Sequence, residues 1–83
     1  MIVRIHPHAR QRLRERGANT AQVRQTIENG RVIPAKFGRT QFSHVFAFNA
    51  TWNGKHYSSK LLDVFAAKIP GGWMVVTVIV KYF

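Results

Sequence analysis

The chain has 83 residues and sets 13 Lys and Arg against three acids, a formal charge of +10. That length makes one domain. That charge makes a surface that attracts polyanions: nucleic acid first, an acidic protein second, an anionic membrane third. The absence of Cys excludes a disulfide framework and a thiolate metal site. Glu15, Glu28 and Asp63 are too few for a carboxylate-built magnesium or two-metal nuclease centre.

Hydrophobic residues make up 46% of the chain and aromatic residues 12%. That suffices for a thin but compact core, and disordered chains lack such aromatics. The stretch Met1 to His6 is too short and too soon charged for a signal peptide, so none is expected. The apolar run Trp73 to Val80 is far too short for a membrane helix.

Residues 2–6 read as a short strand. Pro7 suits the first position of a helix, where its missing N–H costs nothing. Gly17 is a natural stop, so a helix is predicted from Pro7 to Arg16. Asn19 or Thr20 caps a second helix, which carries Val23 and Ile27 at i, i+4 and ends at Gly30. The short connection predicts an antiparallel helix hairpin. Strands follow. Arg31 to Phe37 is pushed toward an edge by Pro34. Gln41 to Trp52 alternates an aromatic face (Phe42, His44, Phe46, Phe48, Trp52) with a smaller, more polar one. Asn53-Gly54 then turns the chain into a strand from about His56 to Lys68. After Pro70-Gly71-Gly72, the strand Trp73 to Phe83 is apolar on both faces, which predicts an internal place in the sheet. The expected fold class is α+β. A short N-terminal strand and a helix hairpin pack on a three- to four-stranded antiparallel sheet, with residues 1–83 as a single domain.

On the first helix His8, Arg12 and Arg16 fall at i, i+4 and i+8, a single stripe. Ala9 and Leu13 form a neighbouring apolar stripe for the sheet. Arg10 and Arg14 point elsewhere, toward solvent. A phosphate at the helix start would meet free N–H groups, the helix dipole, an imidazole and two guanidinium groups. The plainer alternative is a solvated basic helix, with the Arg12 stem covering apolar surface. Pro7 works against a metal site between His6 and His8. His44 reads as a core residue and His56 as an exposed one.

The phrase His8-Ala9-x-x-Arg12-Leu13-x-x-Arg16-Gly17, the capped second helix and Val76-Thr77-Val78 resemble the domain-of-unknown-function 4258 family of small bacterial proteins and toxin modules. Lys36-Phe37-Gly38-Arg39 and the ending Trp73 to Phe83 fit one branch of it. The resemblance covers most of the chain and matches family positions at His8, Arg12, Arg16 and Thr77. It implies the fold of the RelE-like and barnase-like (BECR) toxin ribonucleases.

Metal-free RNA cleavage uses the 2′-hydroxyl as nucleophile and needs a base, an acid and cations around the phosphorane. His8, Arg12 and Thr77 are the catalytic candidates. Arg16, Lys36, Arg39, Lys60 and Tyr82 are the phosphate-binding candidates. By parity Thr77 and Tyr82 lie on opposite faces of the last strand. Phe37 or Trp52 could stack on unpaired bases. The expected function is a toxin-like, metal-independent endoribonuclease, free or ribosome-associated, with no cofactor. Its partners would be RNA and an acidic antitoxin or immunity protein. Its place would be the cytoplasm, its own or a target cell's. The alternatives are a non-catalytic nucleic-acid-binding or regulatory protein, and a basic module that docks an acidic partner.

Overall fold

Local chemistry sets the ends of both helices. In the computed structural model, which describes residues 1–83, strand β1 (Ile2–Ile5) leads into helix α1 (Pro7–Arg16). Pro7 opens α1, and the His6 side chain accepts the His8 N–H at 3.1 Å. At the other end Gly17 takes the left-handed conformation, φ +76°, and its N–H returns to the Leu13 carbonyl. Helix α2 (Thr20–Asn29) starts with a reciprocal capping box. The Asn19 side chain accepts the Gln22 N–H at 2.9 Å, and the Gln22 side chain accepts the Asn19 N–H at 3.2 Å.

The strands that follow are β2 (Arg31–Pro34), β3 (Thr40–Trp52), β4 (Lys55–Ile69) and β5 (Gly72–Tyr82), with a single 3₁₀ turn at Lys36–Gly38. They form one five-stranded sheet in the order β1-β5-β4-β3-β2. The four strands β2 to β5 pair antiparallel, as the alternation and turns predict. β1 adds a fifth and makes the sheet mixed, because it pairs parallel to β5 from Ile2↔Gly72 to Ile5↔Val75. Pro34 sits on the edge strand β2, and β5 is internal, although β4 holds the centre.

Both helices lie on one face. α1 covers β5, while α2 covers β4 and β3. The core joins Ala9 and Leu13 of α1, Val23 and Ile27 of α2, and Phe42, Leu62, Val64, Ala66, Val75 and Val78 of the sheet. Thr26 is buried among them and spends its hydroxyl on the Gln22 carbonyl at 2.8 Å.

Two bulges modify the predicted alternation. In β3 the register slips between Ala47 and Ala50, so Phe48 and Asn49 stand opposite one residue of β4, and Asn49 takes φ +45°. In β5 it slips between Phe65↔Thr77 and Ala66↔Val75, which leaves Val76 as the extra residue. Val75 and Val78 therefore both face the helices although they are three apart. Thr77 and Phe65 face the opposite side, which no helix covers. That side also exposes Val45 and Ile79.

Candidate nucleic-acid interface

The helical stripe forms a cleft. His8, Gln11, Arg12, Glu15 and Arg16 line a space of about 260 Å³ on the outer surface of α1. Ala9 and Leu13, fully or almost fully buried, lock the helix to the sheet and so fix the direction of the stripe. Arg12 is half-buried, and the other four side chains are exposed. His8 and Glu15 are seven residues apart, about 10.5 Å along the axis at 1.5 Å per residue. Arg12 lies between them. A phosphate over Arg12 would have an imidazole toward one end and a carboxylate toward the other. Glu15 and Gln11 were not among the sequence candidates. Their signal was present in the spacing, since i+3 and i+7 from His8 share its face.

Thr77 does not join that cleft. It lies with Lys36, Phe37, Arg39, Phe65 and Val76 around a second space of about 250 Å³, on the helix-free side of the sheet. Phe37 is the most exposed large apolar residue, 88% accessible, and it holds a left-handed backbone at φ 62°, ψ 34°. For an L-residue that conformation costs roughly 1–2 kcal/mol. The turn around it is closed by the Ala35 N–H donating to the Arg39 carbonyl at 3.0 Å. The Arg39 guanidinium carbon lies 5.9 Å from the centre of the Phe37 ring. Strain, exposure and a neighbouring cation together present one aromatic face to solvent. Of the predicted residues, the structure thus groups His8, Arg12 and Arg16 in one cleft and Lys36, Arg39 and Thr77 in another.

Lys60 and Tyr82 correct the sequence reading, which assigned them to phosphate. Lys60 is only 3% exposed and donates to the Gly17 carbonyl and, at 3.1 Å, to Gln22 Oε1. Its ammonium also lies 5.7 Å from the centres of the Phe48 and Tyr82 rings. The Tyr82 hydroxyl donates to the Arg16 carbonyl at 2.6 Å. Both groups thus cap the carbonyl end of α1 instead of facing outward. Burial pushes the Lys60 pKa down and the Tyr82 pKa up. Trp52 stacks on Tyr82 at 5.0 Å and 17°, so of the two stacking candidates Phe37 alone stands free. Parity held for Thr77 and Tyr82: the β5 bulge precedes both and leaves them on opposite faces.

Arg10 and Arg14 are both exposed and stand outside the cleft of His8, Arg12 and Arg16, as the helical spacing predicts. Arg10 lines a cleft of about 490 Å³ with Val3, Ile5, Thr20, Ala21 and Arg24. With Arg14, Leu13, Ala18 and Asn19 it borders a further space of about 280 Å³. Both arginines therefore flank the groove between α1 and α2. His44 is half-buried with its ring edge-on to Phe46, and His56 is exposed at the hairpin tip. No group of three or more His, Asp and Glu side chains converges on a point that could hold a metal ion. No helix is long and apolar enough to cross a membrane.

No curated protein and no solved structure matches the chain. A family model does, across residues 5–80, from the end of β1 to the last turns of β5. That span includes both clefts and the caps that hold α1, so the chain belongs to the family described as Domain of unknown function (DUF4258).

Proposed function

We propose that this protein is a metal-independent endoribonuclease of toxin type, built on the RelE-like and barnase-like fold. The observation that carries the reading is the α1 cleft, which unites His8 and Glu15 with Arg12 and Arg16. The strand–helix–helix order followed by four antiparallel strands supports the fold assignment.

The reaction needs only groups that this chain has. Glu15 or His8 takes the 2′-hydroxyl proton, the 2′-oxygen attacks phosphorus, and a 2′,3′-cyclic phosphate forms as the P–O5′ bond breaks. The other group returns a proton to the leaving 5′-oxygen. Arg12 and Arg16 stabilise the extra charge on the phosphorane through their planar donor forks. Thr77, Lys36, Arg39 and Phe37 serve the substrate instead of the bond-breaking step. They lie across the sheet from α1, so the cations hold a phosphate in a separate stretch of the RNA, and the exposed ring stacks on a base there. An acidic antitoxin or immunity protein is the neutralising partner, since the +10 surface that attracts RNA attracts it as well. The site of action is the cytoplasm.

The separation of Thr77 from His8 favours one other reading, a nucleic-acid-binding protein that does not cut. Purified protein mixed with RNA in EDTA, beside His8→Ala, decides between them. Cleavage by the wild type and not by the variant supports the ribonuclease. Binding by both without cleavage supports the binding protein.

A further inference from the structure

One edge of the sheet is both open and basic. β1 is an edge strand, joined only to β5. The N–H groups of Ile2 and His6 donate to the Gly71 and Val75 carbonyls, each at 2.9 Å. Backbone groups alternate in direction along a strand, so those of Val3 and Ile5 turn the other way, where no strand lies. The same two residues put half-buried side chains into the 490 Å³ cleft beside Arg10 and Arg24. That cleft shares Arg10 and Thr20 with the space beside Arg14, so the two form one groove. No acid lines it, whereas the α1 cleft holds Glu15. Arg24 already reaches the strand edge, since its Nη1 donates to the Met1 carbonyl at 3.2 Å.

We propose that this groove seats an extended acidic segment of a partner protein, added to the sheet beside β1. The proposal rests on the acidic partner of the reading above and not on cleavage. An open edge is a template for another strand, and the charge beside it selects which one. A second copy would bring the same arginines against one another. RNA would offer phosphates to the arginines but no ladder to the edge. An acidic strand matches both features. Its backbone pairs with Val3 and Ile5, and its alternate side chains supply specificity. Those on the helix side lay their stems over Val3 and Ile5 and bring carboxylates to the donor forks of Arg10 and Arg24. Those on the other side meet Ile2, which is 47% exposed. The matching pattern is therefore acid alternating with apolar, and it is short, because β1 has four residues. At about 100° per residue, buried Ala9 and Leu13 separate Arg10 from Arg12 and Arg16 around α1. The segment thus anchors a partner and leaves the α1 cleft uncovered.

The test uses a short, end-capped, fluorescein-labelled peptide of alternating Glu and Val, followed by anisotropy over a salt series. Two relatives of it carry N-methyl groups, one on every Glu and the other on every Val. Successive N–H groups of a strand face opposite ways, so only one relative blocks the side that meets β1. Wild type should bind the parent and one relative, and bind the other more weakly by roughly tenfold or more. Arg10→Glu and Arg24→Glu, both at exposed positions, should each weaken the parent by roughly tenfold or more. Arg16→Glu makes the same change in net charge from a screened distance and should stay within about twofold of wild type. Melting curves check that all three variants fold. Two relatives that bind alike overturn the added strand. Equal losses in all three variants overturn the seat and leave only the general attraction of a +10 surface. Wild type that fails to bind the parent even at low salt overturns the acidic partner as well, so the two failures are distinct.

Discussion

The Lys60 ammonium, carried by the central strand β4, donates to the carbonyl of Gly17, the residue that ends α1. Tyr82 does the same for Arg16 from the neighbouring strand. Two carbonyls that a helix end leaves unpaired are thus satisfied by the sheet. A cation there also meets the negative end of the helix dipole. The basic stripe on α1 is consequently held at both ends, by Pro7 and His6 at its start and by Lys60 and Tyr82 at its finish. Removing the Lys60 side chain takes the donor from a part-buried hydrogen bond and leaves a gap where the lysine was only 3% exposed. Lys60→Ala should lose about 1–3 kcal/mol of unfolding free energy by urea denaturation.

The same pair predicts a pH dependence. Burial lowers the Lys60 pKa below its usual 10.5. Between that lowered value and 10.5 the unfolded chain binds more protons at this site than the folded one, so stability rises with pH. Tyr82 acts oppositely, because burial raises its pKa above 10.0 and folding keeps its proton longer. Its effect makes stability fall as pH climbs past 10.0. Melting temperatures should therefore climb toward pH 10.0, level off between 10.0 and 10.5 where the two effects oppose, and fall above 10.5. Lys60→Met should remove the climb, read as the difference between the two proteins across the series.

Gly17→Ala should fail for two separable reasons. The left-handed backbone costs an L-residue roughly 1–2 kcal/mol. A Cβ there would also lie 2.5 Å from Trp52 Cζ3 and 2.8 Å from the Tyr82 hydroxyl. Overpacking of this kind adds about 1–3 kcal/mol. Calorimetry should show a loss larger than the backbone cost alone, and Gly17→Ala in a Trp52→Ala background should recover part of it.

Phe37→Gly should separate folding from binding. Glycine relieves the positive φ but loses more entropy on folding, so stability should stay within about 1 kcal/mol of wild type. Affinity for single-stranded RNA should fall by about 1–3 kcal/mol if the ring stacks on a base. Unchanged affinity would return Phe37 to an ordinary exposed turn residue.

Arg12→Ala and Arg16→Ala should each flatten the dependence of log K on log salt by about 0.7 on single-stranded RNA, one phosphate contact apiece. Lys60→Met should leave that slope alone, because its ammonium faces Gly17 and Gln22.

The ends of the helices were legible in the sequence because capping is local. Pro7, Gly17 and the Asn19–Gln22 box act within a few residues of themselves. Strand parity was legible for the same reason, but its interruptions were not. Neither Phe48-Asn49 nor Val76 carries a glycine or proline to announce a bulge, and each arises from pairing with a distant strand. The parallel union of β1 with β5 spans nearly the whole chain. Lys60 shows the limit most clearly. One lysine in a strand reads as a surface cation until the Gly17 carbonyl and the Phe48 and Tyr82 rings are seen around it. The α1 stripe was legible, since it depends only on helical spacing. The location of Thr77 was not, since parity gives a face only relative to its own strand.

The central claim is cleavage through the 2′-hydroxyl by groups of the α1 cleft. The direct measurement is a DNA strand holding a single ribonucleotide, incubated in EDTA, with the product ends resolved by mass spectrometry. Wild type should cut after the ribonucleotide alone and leave a 2′,3′-cyclic phosphate. His8→Ala and Glu15→Gln should each slow that step by about 10²–10⁴-fold while binding persists. No cut in EDTA, cutting at deoxyribonucleotides, or full activity in both variants would contradict the account.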